Sequence, residues 1–233
     1  DTITHHFAIE NCSFEENSAK VKIISHSQHD YNSPCHNIRL PITFMDSAFN
    51  RYETMIIDNG TREEHNISLP FTPVAAFLDF DEEFFDLTTD SYKFISEPGN
   101  YEFKNSYFKA NVTACQDSIL LRPTLHWIGT NEETTIEGIN RFSQKHYWTI
   151  EGVNLDKADI DAKFYFKISF SERDFDNTLL QDYAAKDSLM LFYREDATKP
   201  WHRIEANYPS SSSGYVTTKL RKGDFIMAIG DKN

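Results

Sequence analysis

Apolar and polar residues alternate along much of this chain, which is the pattern of half-buried β-strands. In the run from Ala19 to Ile23 every second residue is apolar, and the residues between are lysines. The cleanest run extends from Ala162 to Phe170, with five apolar side chains at alternate positions. A period of two residues places such side chains on one face of a strand. One segment, from Asp174 to Ala185, instead predicts a short helix.

Turn signals divide the predicted strands into two groups. The first group ends near Leu69, and within it the turn Asp58-Asn59-Gly60, flanked by two strand-like runs, predicts a tight hairpin. The fold class predicted is all-β, with two consecutive antiparallel β-sandwich modules of immunoglobulin-like or jelly-roll-like type. The predicted domains are a small sandwich over 1–70, a joint over 71–90 and a larger sandwich over 91–233.

The predicted joint is bounded by proline and rich in acid. Pro70 and Pro73 lack a backbone donor and hold the chain extended, so neither a helix nor a central strand is predicted there. Its apolar anchor is predicted to be Phe71, Val74 and Phe77. Its carboxylates belong to Asp79, Asp81, Glu82, Glu83, Asp86 and Asp90. Clustered carboxylates could hold calcium, but the glycine of a calcium loop is missing, so an exposed acidic turn is the favoured interpretation.

The composition argues against nucleic acid as a binding partner and against a membrane span. The net charge is −13 and the sequence pI is about 5.1. Because no stretch is rich in lysine and arginine, nucleic-acid binding is not predicted. No apolar run approaches the roughly 18 to 20 residues of a membrane-spanning helix, so no membrane span is predicted. The chain begins at Asp1 and is interpreted as a processed or excised fragment.

Histidine and cysteine cluster in one polar loop. His26, His29, Cys35 and His36 are ligand types that zinc prefers, but their spacing matches no common zinc site. A solvated loop is therefore the favoured interpretation. Three cysteines without a Cys-x-x-Cys pair do not indicate a disulfide framework, although one bridge between Cys12 and Cys35 is left open.

The sequence contains no recognisable catalytic motif. The zinc-binding H-E-x-x-H, a G-x-S-x-G nucleophile turn and a glycine-rich phosphate loop are all absent. The sequence therefore assigns no catalytic, cofactor-binding or metal-ligating residue, and no cofactor. Two carboxylates that meet in space could still hydrolyse a glycoside, which spacing along the chain does not test. Trp127, Trp148 and Trp201 could stack on sugars, although a tryptophan in a strand is more often part of the core.

The joint and the second module together resemble a known family. The residues that carry the resemblance are Leu69-Pro70-Phe71-x-Pro73, Leu78-Asp79, Leu87-Thr88-Thr89-Asp90, His126-Trp127, Tyr147-Trp148 with Gly152, Asp187-Ser188-Leu189-x-Leu191-Phe192-Tyr193-Arg194, Trp201, and Lys222-Gly223-Asp224-Phe225 with Ala228. In this order, they are similar to the region that follows the catalytic part of aminopeptidase-N-like zinc metallopeptidases (gluzincins) of Bacteroidetes. Phe80 stands where the family usually has proline, and the family's H-E-x-x-H and Gly-x-Met-Glu-Asn motifs are missing.

The resemblance implies a non-catalytic accessory or scaffold part of a secreted or surface zinc aminopeptidase-like metallopeptidase. Its implied partner is an N-terminal catalytic domain of the same polypeptide, with a protein or glycan as a further ligand. Its implied location is extracellular, at the cell surface or periplasmic. The alternative is a stand-alone carbohydrate- or protein-binding module of a cell-surface protein, which an exposed row of aromatic side chains on one sheet face would favour. A stand-alone hydrolase with two carboxylates in a cleft is a third hypothesis.

Overall fold

The computed structural model describes residues 5–27, 36–60, 62, 64–130, 136–167, 176, 179, 188–211 and 213–230. Strands in antiparallel sheets dominate, so the predicted all-β sandwich fold is confirmed. Two compact units divide the chain: the first takes in the described residues up to Thr88 with 151–153 and 196–199, and the second takes in the others. No helix among these residues has the length and hydropathy that a membrane-spanning helix requires.

The first unit is a sandwich of two three-stranded sheets. Its strands are β1 (His5–Glu15), β2 (Ser18–Ser27), β3 (Ile38–Met45), β4 (Arg51–Asp58), β5 (Glu64–Ser68) and β6 (Ala75–Leu78). One sheet has the order β1-β2-β5 and the other the order β4-β3-β6. The alternation that begins at Ala19 is confirmed, since Ala19, Val21 and Ile23 are buried in the core between the sheets.

The hairpin predicted at Asn59-Gly60 is wrong. β4 pairs with β3, whereas β5 pairs with β2, so this turn connects strands of two different sheets. The turn chemistry is nevertheless as expected, because Gly60 has a φ of 71° and its N–H donates to Asp58 Oδ1 at 3.1 Å. The local signal specified a turn, but long-range pairing decided which strand the next segment joins.

Residues 71–90 contain two strands, Ala75–Leu78 and Thr88–Asp90. Ala75–Leu78 forms β6, which pairs with β3 at the edge of the second sheet of the first unit. Pro70 and Pro73 precede this strand, where a missing N–H removes no hydrogen bond of the ladder. Phe77 is fully buried, and its ring centroid lies 5.1 Å from that of Phe80. Most of the segment predicted as a joint thus lies in the first unit.

The second unit contains two further sheets. Its strands are β7 (Thr88–Asp90), β8 (Lys93–Ile95), β9 (Gly99–Phe103), β10 (Phe108–Cys115), β11 (Ile119–His126), β12 (Ile139–Phe142), β13 (Tyr147–Val153), β14 (Ala158–Lys167), β15 (Leu189–Arg194), β16 (His202–Arg203), β17 (Ser213–Lys219) and β18 (Gly223–Gly230), with a 3-10 turn over Leu155–Lys157. The smaller sheet has the order β17-β14-β10-β9, and the larger one follows β16-β15-β18-β13-β11-β7, with β12 beside β18 and β8 beside β11.

The core of the second unit lies between these sheets. Phe164 and Phe166 of β14 pack in one cluster with Trp148, Leu191 and Phe225 of the larger sheet. The described part of the strongest sequence alternation is thus a core strand, as predicted. The helix predicted over 174–185 lies outside the described residues, apart from two isolated positions.

Candidate functional site

A row of four aromatic side chains lies on the surface of the second unit, and we call it the aromatic row: Trp127, Tyr107, Tyr165 and Tyr215. Consecutive ring centroids are 5.9, 5.8 and 5.5 Å apart in that order. Trp127 is 36% exposed and Tyr107 is 42% exposed, whereas the other two are half-buried. An exposed aromatic row on one sheet face would favour a binding module, and this row matches that expectation in part: Tyr165 and Tyr215 are on the smaller sheet, whereas Tyr107 lies in a turn and Trp127 follows β11.

Strand alternation and pairing place the two central tyrosines. Phe164 and Phe166 point into the core, so Tyr165 between them has to point to the opposite face of β14. Tyr215 of β17 is the residue directly opposite Tyr165 in the antiparallel ladder. Cross-strand neighbours on one face have closely spaced side chains. The pairing of β14 with β17 therefore sets the distance between these two rings.

The turn between β9 and β10 places Tyr107. Its φ of 51° lies in the left-handed region, which costs a bulky residue of order 1–3 kcal/mol. Two backbone hydrogen bonds hold it there: the Tyr107 N–H donates to the Lys104 carbonyl at 3.2 Å, and its carbonyl accepts the Tyr165 N–H at 3.1 Å. The second bond ties the turn directly to the strand that carries the next ring of the row.

Thr89 fastens Trp127 to the same turn. Trp127 Nε1 donates to Thr89 Oγ1 at 2.9 Å, and the Thr89 hydroxyl donates to the Asn105 carbonyl at 2.7 Å. Because the indole N–H is satisfied by the protein, the ring keeps its orientation while part of its face remains exposed. The row is therefore held by backbone and side-chain bonds on both sides of Tyr107.

Charged side chains border the far end of the row. Lys109 Nζ lies 4.8 Å from the Tyr215 ring centroid and 3.1 Å from Glu102 Oε1. Two hydrogen bonds raise the pKa of Lys109: the bond with Glu102 has the larger effect, and the bond with Tyr215 has the smaller one. Burial raises the pKa of the Tyr165 hydroxyl. These shifts favour the ammonium form of Lys109 and the phenol form of Tyr165.

The arrangement is suited to binding. Aromatic faces pack on apolar faces of a ligand, while the hydroxyl, ammonium and carboxylate groups at the rim form hydrogen bonds. Trp127 and Tyr107 meet at 87°, and Tyr165 and Tyr215 at 62°. Both of these contacts are edge-to-face, and Tyr107 and Tyr165 are tilted by 35°, so the four rings do not form one flat platform. In the described residues, no group of three or more His, Cys, Asp or Glu side chains is arranged to hold a metal ion.

The three tryptophans singled out in the sequence occupy different environments. Trp148 is fully buried, and Trp201 is 6% exposed with the Arg194 guanidinium carbon 4.2 Å from its ring centroid. Of the three, only Trp127 belongs to the aromatic row. The signal that sequence reasoning missed was Tyr165, an aromatic residue at a polar-face position of a strongly alternating strand.

The loop rich in histidine and cysteine is only partly described. His26 is buried near the end of β2, and its ring centroid lies 4.8 Å from that of His6. Burial lowers the pKa of His26, which favours its neutral form. His29 and Cys35 lie outside the described residues, so the zinc and disulfide alternatives of the sequence analysis stay untested.

Three of the acidic residues of 79–90 have different hydrogen-bond or ion-pair partners. The Asp79 carboxylate accepts two backbone N–H groups at 2.8 and 2.9 Å and thereby caps the acidic turn. Asp81 pairs with Arg51 in the first unit. Asp90 instead pairs with Arg122 inside the second unit, where both side chains are buried. These carboxylates point to different partners, which favours capping and pairing over a shared calcium site.

A buried polar row crosses four strands of the larger sheet: Arg194, Asp224, Thr149 and His126. Arg194 Nε donates to Asp224 Oδ2 at 2.8 Å, and the Thr149 hydroxyl donates to Asp224 Oδ1 at 2.7 Å. His126 Nε2 lies 2.9 Å from Thr149 Oγ1. Asp224 is directly opposite both Arg194 and Thr149 in the ladders. Burial and mutual bonding assign this row to sheet assembly.

A Ser-His-Asp set is also buried in the second unit. Ser143 Oγ lies 3.5 Å from His146 Nδ1, and His146 Nε2 lies 3.4 Å from Asp176 Oδ1. None of the three is more than 1% exposed, so a substrate has no access to the hydroxyl. Burial lowers the pKa of His146 to about 3 and raises that of Asp176 to about 7. These shifts favour a neutral imidazole beside a neutral carboxylic acid, and His146 and Asp176 form a structural pair.

This pair predicts a specific pH dependence of stability. His146 contributes stability that is lost as pH falls from 6.5 towards 3, and Asp176 contributes stability that is lost as pH rises from 3.8 towards 7. In the wild type the two slopes oppose each other between about pH 4 and 6.5 and cancel. Asp176→Asn leaves the histidine alone, so its unfolding free energy should rise with pH by up to about 1.4 kcal/mol per unit relative to the wild type. Denaturant titrations at several pH values measure this difference.

The matched variant is His146→Gln, which leaves the buried carboxyl group alone. Its unfolding free energy should fall with rising pH over the same range, relative to the wild type. The two variants thus have opposite expected signs. Parallel pH profiles for the wild type and both variants would show that the pair does not carry these pKa shifts.

Residues of the family resemblance occur in several of these features. His126, Arg194 and Asp224 meet in the buried polar row, and Trp127 and Thr89 meet at the aromatic row. The resemblance to accessory parts of aminopeptidase-N-like peptidases stays a prediction. Comparison of the chain with protein-family models, with curated proteins and with solved structures finds no match in any of the three.

Proposed function

We propose that the second unit is a non-catalytic binding module whose aromatic row holds a carbohydrate chain. The observation that carries this proposal is the row itself, in which Trp127 and Tyr107 are held at the β9–β10 turn and Tyr165 and Tyr215 are paired on the smaller sheet. A sugar has apolar C–H faces and a rim of hydroxyl groups. Both are matched by aromatic rings bordered by phenol, ammonium and carboxylate groups. A peptide ligand is the competing outcome of the test below.

The accessory role in a secreted or surface zinc aminopeptidase-like protein is a second proposal. Its support is the resemblance over about residues 65 to 230, with motif residues on β13, β15 and β18. Those strands are buried, so the shared positions are ones that a common scaffold would constrain. The two proposals are compatible, because an accessory module that binds glycans would hold a surface enzyme near its substrate.

Loss of either exposed ring should weaken carbohydrate binding. Trp127→Ala and Tyr107→Ala are each expected to lower affinity about two- to tenfold, since one stacked ring supplies roughly 0.5–1.5 kcal/mol. Titration calorimetry with a soluble β-glucan, a mannan and N-acetylglucosamine oligosaccharides measures the effect. Circular dichroism checks that each variant is folded.

The matched control is Phe94→Ala, which removes another exposed ring of the same unit. Phe94 is 56% exposed and packs on Tyr92, outside the aromatic row. Its removal should leave affinity unchanged. Equal losses in all three variants, or none in any, would contradict the proposal, and so would tight binding of an extended peptide at the row.

A further inference from the structure

The first unit has a strand with an open side. In the part of the chain that the structure describes, β4 pairs with β3 alone and forms the edge of its sheet. An open edge has unpaired N–H and C=O groups that can add an extended segment as a further strand.

Pro41 decides the hydrogen-bonding phase of β4. It lies opposite Met55 in the ladder, and its carbonyl accepts the Asp79 N–H at 2.9 Å. The backbone of Pro41 therefore faces away from β4. Two residues opposite each other in an antiparallel pair direct their N–H and C=O groups either towards each other or both away from each other. Met55 therefore directs its N–H and C=O to the open edge. By the same period of two, the other residues that do so are Arg51, Glu53 and Ile57.

The side chains of these same residues are exposed. Met55 is 54% exposed and Ile57 is 47% exposed, which is unusual for apolar side chains. Beside them is a cavity of about 190 Å³. Its charged lining consists of Glu53, Asp79, Asp81, Glu83 and Arg51. Four carboxylates thus face one guanidinium group, which gives the cavity an excess of negative charge.

Phe80 adds an apolar wall that already accommodates a cation. The Arg51 guanidinium carbon lies 4.8 Å from the Phe80 ring centroid, while Arg51 also pairs with Asp81 and Glu53. A lysine or arginine side chain from a ligand would find the same surroundings: carboxylates for its charge and an apolar wall for its methylene groups. The cavity therefore suits a basic side chain.

We propose that the β4 edge and this cavity dock an extended peptide segment that carries lysine or arginine at alternate positions. The main chain of the segment pairs with residues 51–57, and its basic side chains reach the carboxylates of the cavity. The methylene groups of these basic side chains lie over Met55 and Ile57, which share the face of Glu53 and Arg51. The remaining side chains of the segment point to the opposite face of the sheet. A second copy of this protein fits poorly, because both copies carry a net charge of −13 and pairing of two β4 edges would bring like charges together.

Two fluorescent ten-residue peptides test the proposal, one alternating lysine with valine and one alternating glutamate with valine. Fluorescence anisotropy should show binding of the lysine peptide, and the affinity should fall as salt rises from 50 to 300 mM, roughly as Debye screening requires. The glutamate peptide should not bind. Equal binding of both peptides, or dimerisation of the protein through β4, would overturn the proposal.

Reversal of one charge in the lining of the cavity is the first variant test. Glu83→Lys is expected to weaken binding of the lysine peptide about three- to tenfold. Glu64→Lys is the matched control, because it makes the same change of net charge at an exposed position of β5 in the other sheet. Equal weakening in both variants would mean that the net charge of the protein, and not this cavity, determines the affinity, and it would overturn the proposal.

Removal of one edge donor is the second variant test. Met55→Pro deletes an N–H that points away from β3, so the β3–β4 ladder keeps its hydrogen bonds. The expected loss of affinity for the lysine peptide is about tenfold. Circular dichroism reports whether the variant folds, and Glu83→Lys tests the site independently of it. A folded Met55→Pro variant with wild-type affinity would exclude strand addition at β4.

Discussion

Asp224→Ala is expected to destabilise the second unit by about 3–5 kcal/mol, since it leaves a buried guanidinium group without its carboxylate. Arg194 is 4% exposed and would have no water to replace the lost partner. Thr149 would lose the acceptor of its hydroxyl at the same time. Guanidinium chloride denaturation followed by tryptophan fluorescence measures the effect, because Trp127, Trp148 and Trp201 all belong to the second unit.

Asp159→Ala is the matched control for this variant. It also removes an aspartate from an ion pair, with Lys219 Nζ at 2.8 Å, but both side chains are exposed. Exposed pairs contribute little, so the expected change is at most about 1 kcal/mol. Comparison of the two losses of stability separates the effect of burial from the effect of losing an ion pair. Similar losses in the two variants would mean that the polar row does not hold the larger sheet together.

The faces of the strands could be predicted from the sequence because the period of two is a local property. In the runs that begin at Ala19 and Ala162, the apolar side chains are buried as expected, and the side chains that alternate with them point outward. The strand partners could not be predicted in this way. Asn59-Gly60 has the chemistry of a hairpin turn, yet β4 and β5 belong to different sheets. Pairing depends on the packing of the whole unit, which no short motif contains.

The aromatic row shows the same limit for a functional site. Its rings come from positions 107, 127, 165 and 215. Three of them meet because β14 lies between β10 and β17, and Thr89 links Trp127 to the turn that carries Tyr107. Tyr165 carried a readable signal, since an aromatic residue on the polar face of a strand points away from the core. Trp127 and Trp148 carried no such difference. Each is an aromatic residue in a strand-like run, and only the fold separates the exposed one from the buried one.

Trp148→Ala is expected to cost about 3–5 kcal/mol of stability, as for other fully buried large aromatic side chains. The side chain has no exposed surface and meets the Phe164 ring with centroids 5.3 Å apart. Thermal denaturation followed by circular dichroism measures this loss. Trp127→Ala provides the comparison, because the same side chain is removed from an exposed position and the expected loss is much smaller.

Trp148→Phe separates the packing of this side chain from its hydrogen bond. Trp148 Nε1 donates to the Ser106 carbonyl at 2.8 Å, and Ser106 immediately precedes Tyr107 of the aromatic row. The phenyl ring keeps much of the packing but leaves that buried carbonyl unpaired, at a cost of about 1–3 kcal/mol. Because the turn loses one of the hydrogen bonds that position Tyr107, carbohydrate affinity should fall in a variant that is still folded. A folded variant with wild-type affinity would show that the buried indole does not position the row.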